Sequence, residues 1–86
     1  MYIQTEQTPN PNTLKFIPGE RVMESGTISF RSKEEASDYS PLATILFEIP
    51  GVEQVFLGLD FITVSKSEDT QWENLKPHVL TTIMEH

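Results

Sequence analysis

Val52-Glu53-Gln54-Val55-Phe56-Leu57-Gly58-Leu59-Asp60-Phe61-Ile62-Thr63-Val64-Ser65-Lys66 holds two β-rich runs, residues 52–57 and 61–66, joined through Gly58-Leu59-Asp60. Apolar residues alternating on either side of a short glycine-containing loop make this a β-hairpin. Side chains alternate across a strand, so Val55 and Leu57 share one face, as do Ile62 and Val64. Phe56 and Phe61 fall on the other face. There they either form an apolar patch or are covered by the N-terminal strands or a loop.

Upstream of the hairpin the period changes. Ser40-Pro41 is an N-cap followed by proline at the first helical position, and Leu42, Ile45, Leu46 and Ile49 recur at i, i+3, i+4 and i+7 before Pro50-Gly51 stops the helix. Ser32 and Glu35 form a capping box that opens a short polar, solvent-facing helix through Asp38. Thr27-Ile28-Ser29-Phe30 is a strand, and residues 20–26 are a connection with room for a short pairing near Val22. Nearer the N-terminus, residues 2–5 and Thr13-Leu14-Lys15-Phe16-Ile17 read as two strands. The turn between them, Thr8-Pro9-Asn10-Pro11-Asn12, lacks two backbone donors and carries asparagines that tolerate positive φ.

Downstream, Thr70 and Glu73 make another capping box, and the closing helix carries Trp72, Leu75, Val79 and Ile83 on one stripe with Leu80 and Met84 beside it. Trp72 reads as a core plug. Pro77 is expected to kink or restart this helix, because it deletes one helical bond and crowds the preceding turn. The order β-β-β-α-α-β-β-α predicts a single small α+β domain over residues 1–86. Its antiparallel or mixed sheet of about four to five strands has two main helices packed on one face.

Composition limits what such a domain can do. Eighty-six residues bury roughly 60% of their unfolded surface, enough for one core but not for a deep cofactor cavity. Six Lys and Arg against thirteen Asp and Glu leave a net charge of −7, and the cations are scattered, which argues against a nucleic-acid partner. No apolar run is long enough to span a bilayer, and the first residues lack the features of a signal peptide, so a cytoplasmic location with no membrane partner is expected. The chain contains no cysteine, so it has no thiolate to act as nucleophile or to hold zinc or an iron–sulfur cluster.

Catalytic patterns are missing too. There is no nucleophile elbow, P-loop, dinucleotide fingerprint or zinc-protease motif, so no enzyme activity is expected. His78 has no nameable partner and reads as a partly exposed helix residue; Asp60 reads as a turn former. The carboxylates at Glu34, Glu35, Asp38, Glu68 and Asp69 sit where helix starts attract acids, and none follows a calcium-loop spacing. No catalytic, cofactor or metal site is assigned.

The strings Gln4-Thr5-Glu6, Thr8-Pro9-Asn10-Pro11-Asn12-Thr13-Leu14-Lys15-Phe16, Ser40-Pro41-Leu42-Ala43, Asp60-Phe61-Ile62-Thr63-Val64, Leu75-Lys76-Pro77 and Ile83-Met84-Glu85-His86 together resemble the N-terminal domain of Nfu-type (NifU-like) iron–sulfur cluster scaffold proteins. The resemblance runs along the whole chain. It implies a domain that precedes a separate C-x-x-C module carrying a 4Fe-4S cluster, with iron binding a family-level property. That module is absent from these residues, so no cofactor is expected in this chain. The implied role is accessory: recognition of iron–sulfur assembly proteins or apo client proteins, and presentation of the chain's own C-terminal module where the native chain is longer. For a eukaryotic source with its presequence removed, the mitochondrial matrix replaces the cytoplasm. A stand-alone adaptor or regulator without cluster chemistry is the alternative. Phe56, Phe61, Asn10 and Asn12 are the candidate partner-binding residues.

Overall fold

Five strands, β1 (Gln4–Gln7), β2 (Thr13–Ile17), β3 (Ile28–Phe30), β4 (Val52–Leu57) and β5 (Ile62–Lys66), form one sheet in the order β1-β2-β5-β4-β3 in a computed structural model that describes residues 3–85. Every pairing is antiparallel. Three helices complete the domain: α1 (Lys33–Ser37), α2 (Pro41–Phe47) and α3 (Trp72–Glu85). Element order and class match the sequence expectation.

Register explains why one face is core. Gln7, Leu14, Val64, Val55 and Phe30 lie side by side across the five strands, and Thr5, Phe16, Ile62, Leu57 and Ile28 form the next row on the same face. Leu14, Phe16, Phe30, Val55, Leu57, Ile62 and Val64 of these rows are buried, together with Ala36 of α1, Ala43 and Leu46 of α2, and Leu75, Val79 and Ile83 of α3. All three helices therefore stack on that face.

Helix starts follow their caps, with one exception. Ser32 Oγ accepts from Glu35 N at 3.2 Å and Ser40 Oγ accepts from Ala43 N at 3.1 Å, each satisfying a donor that the helix leaves orphaned. The Glu35 carboxylate accepts from Arg31 N, one residue before the cap. Thr70 does not cap α3. Its hydroxyl pairs with Ser67 Oγ at 2.8 Å in the turn after β5, and Gln71 O accepts the first helical bonds from Asn74 N and Leu75 N.

Other expectations shift in detail. β1 begins at Gln4; Tyr2, which the sequence placed in this strand, lies outside the described residues, as does His86. The α1 helix is not wholly solvent-facing, because Ala36 is buried beneath it. In α2 Leu46 is buried and Leu42, with Ile49 just beyond the helix, packs against the core as expected, but Ile45 is 42% exposed and Ala43 is buried. Alanine, small enough to bring the helix close to the sheet, takes the place given to isoleucine. The last helix runs unbroken through Pro77 and leaves Met84 exposed. Near Val22 the connection makes no strand; Val22 N and Met23 N both donate to Leu59 O, at 2.7 and 3.2 Å, fastening the loop to the hairpin tip.

Candidate functional site: the open face of the sheet

On the side away from the helices, Glu6, Lys15, Thr63, Phe56 and Ser29 form a single cross-strand row spanning all five strands. None of these side chains is buried. Phe61, just before β5, folds onto this face and stacks on Phe56 with ring centroids 5.8 Å apart and planes inclined by 23°. Both rings are half-buried, and the N-terminal strands lie beside them in the same sheet rather than over them.

Two neighbours hold the patch. Lys15 Nζ lies 4.5 Å from the Phe61 ring centroid, within cation–π range, and 3.8 Å from Glu6 Oε1. Each contact is weak at a partly exposed site, about 0.5–1 kcal/mol or less, but together they limit where the Lys15 stem and the Phe61 ring can move. Gly58, whose N–H donates to Phe61 O at 2.9 Å, is the third constraint. A Cβ at position 58 would run into the Phe61 ring, meeting Cδ1 at 2.6 Å. No local pattern signals this steric requirement, since a glycine in a hairpin loop is already explained by turn chemistry.

The asparagines sit elsewhere, in the β1–β2 turn. Asn10 Oδ1 accepts from Asn12 N at 2.9 Å, an Asx turn, and neither asparagine has positive φ. Asn12 Oδ1 accepts from Lys66 Nζ at 3.0 Å, and Asn12 O accepts from Lys66 N at 2.8 Å, so the turn is fastened to β5. Lys66 is only 9% exposed; Asn12 and Ser67 O at 3.3 Å are what its ammonium is given in place of water. Trp72 is half-buried rather than a full core plug: it packs 6.3 Å from Phe16 and donates from Nε1 to Pro11 O at 3.1 Å. Both asparagines are therefore engaged within the fold. Asn12→Ala should cost about 1.5–3 kcal/mol, the worth of a hydrogen bond to a largely buried charge, in chemical denaturation while leaving contacts made through Phe56 and Phe61 unchanged.

Asp60 is exposed at the hairpin tip and His78 is exposed on α3, each as a turn or surface residue. Among the described residues no three His, Asp or Glu side chains converge as metal ligands would. The face opposite the helices thus presents two half-buried stacked rings beside hydroxyls and one ion pair.

Comparison with known proteins locates this architecture. The model of the family described as scaffold protein Nfu/NifU N terminal matches residues 3–86. The chain belongs to that family. It is 54% identical over 86 residues to the human protein named NFU1 iron-sulfur cluster scaffold homolog, mitochondrial, and 48% identical over 85 residues to NifU-like protein 5, mitochondrial, of Arabidopsis thaliana. Those matches cover 99% of this chain but 34% and 30% of the relatives, so it spans about a third of their length. The solution structure of a NifU-like protein from Saccharomyces cerevisiae superposes with a TM-score of 0.85 at 31% identity, covering 98% of this chain and 76% of that one. This Nfu/NifU N-terminal domain thus shares the overall fold of that structure.

Proposed function

We propose that this domain is a non-catalytic protein-interaction module that supports iron–sulfur cluster assembly or transfer to client proteins. The observation that carries the reading is the stacked, half-buried Phe56–Phe61 pair on the sheet face opposite the helices, in a chain of the Nfu/NifU family. Buried aromatic anchors supply most of the binding energy in many interfaces, and a pair already stacked in the free protein loses little freedom on binding. The partners are assembly proteins or apo client proteins. Their cluster is cargo: a chain with no cysteine does not offer the donor set that iron–sulfur ligation uses, and no step is assigned to a cluster held here. The word mitochondrial in the names of the two curated relatives supports the matrix as the working compartment.

The test is Phe56→Ala combined with Phe61→Ala in the native full-length protein. Binding to its assembly or client partner should weaken about tenfold or more, the effect of losing roughly 1.4 kcal/mol or more at a hot spot. Circular dichroism and the cluster content of the full-length protein should be unchanged. Partner affinity and cluster delivery equal to those of the unsubstituted protein would remove this face from the proposal.

A further inference from the structure

The opposite edge of the sheet carries a second surface, independent of the phenyl pair. β3 is an outer strand, paired with β4 on one side, and among the described residues no strand pairs with its other side. Beside that edge runs a groove of about 410 Å³, bounded by Ile28 and Phe30 of the strand, Glu34, Glu35 and Asp38 from α1 and its cap, and Tyr39. Tyr39 is 74% exposed, the most exposed large apolar residue among the described residues, and its ring stands 6.3 Å from that of Phe30. All the charged side chains lining the groove are acids. The nearby cation of α1, Lys33, is directed away, to Glu48 Oε2 at 2.8 Å.

From these features we infer that the β3 edge receives an extended, lysine- or arginine-bearing segment of a partner protein, added as a further antiparallel strand. Free backbone donors and acceptors on an edge strand supply the main-chain pairing, and adjacent pockets read alternate side chains. Glu34 and Asp38 meet the cationic side chains, and the Tyr39 ring offers a face on which an ammonium or guanidinium rests. Because side chains alternate across a strand, the cationic ones lie on the α1 side of the sheet, where Phe30 is already buried, and the residues between them fall on the opposite face with Ser29. Charge selects this occupant over a second copy of the same chain, because edge-to-edge pairing of two copies would bring two acidic grooves together. The net charge of −7 draws a basic segment toward the domain and repels an acidic one.

The probe is a short capped peptide of alternating lysine and valine, titrated into the intact protein at low salt and followed by amide NMR. Shifts should concentrate at residues 28–30 and 34–39, and affinity should fall as salt rises. Glu34→Gln with Asp38→Asn should weaken binding about fivefold or more, as should Tyr39→Ala. Glu35 is left in place because its carboxylate accepts from Arg31 N at the helix start. Unchanged amide spectra in the unliganded variants show that the fold is intact. A peptide N-methylated at its valines, unable to donate strand bonds, should lose binding to the native protein. The inference is overturned if the N-methylated peptide binds as well, if the charge-neutral variant binds undiminished, if the shifts map to the Phe56–Phe61 face, or if millimolar peptide does not bind.

Discussion

Phe16→Ala is expected to lose about 3–5 kcal/mol of folding stability, the cost of emptying a fully buried aromatic site that cannot collapse. Phe16 is fully buried on β2, the strand next to the central one. It lies beside Ile62 of β5 on the helix-covered face and packs its ring against Trp72 at the start of α3, so one side chain joins the sheet to the last helix. Small domains are stable by only about 5–15 kcal/mol, so a loss of this size removes a large part of the total. Urea denaturation should show the midpoint falling with little change in slope. A loss under about 1 kcal/mol would mean that the layer between sheet and helices is not the dominant core.

Gly58→Ala should have a different signature. Position 58 does not have positive φ, so the backbone accepts alanine; the added methyl instead displaces the Phe61 ring. Overpacking of this kind costs about 1–3 kcal/mol. The ring leaves both its stack on Phe56 and its contact with Lys15, and the proposed contact surface is disassembled while the core beneath it, with Leu57 and Ile62, stays closed. Partner affinity should therefore fall about as far as in the Phe56→Ala/Phe61→Ala protein, and the Phe61 ring resonances should move in the NMR spectrum. Full affinity in Gly58→Ala would mean that the stacked arrangement is not what a partner recognises.

The sequence and the structure agree where local signals were strong. The caps at Ser32 and Ser40, the strand β2 and the hairpin faces were legible because each rests on neighbouring residues: an acceptor placed near an orphaned donor, or strict alternation. Ala43 was not legible, since its burial depends on how closely α2 approaches the sheet. Nor was the loss of the Thr70 cap, where a competing hydroxyl at Ser67 wins the side chain. Of the candidate site, alternation placed Phe56 and Phe61 together, whereas the acidic groove at β3 follows from strand order, which no local pattern encodes.

That strand order also governs when the molecule can be finished. β2 has only β1 and β5 as neighbours, and its ladder to β5 closes with Thr13 beside Ser65, their hydroxyls 2.8 Å apart. A growing polypeptide leaves the ribosome N-terminus first. The β1–β2 hairpin therefore emerges early and waits, with Leu14 and Phe16 uncovered, until the β4–β5 hairpin has been synthesised. During translation this is a late-closing domain, and the interval before residue 66 emerges is when a chaperone would find the most apolar surface to hold.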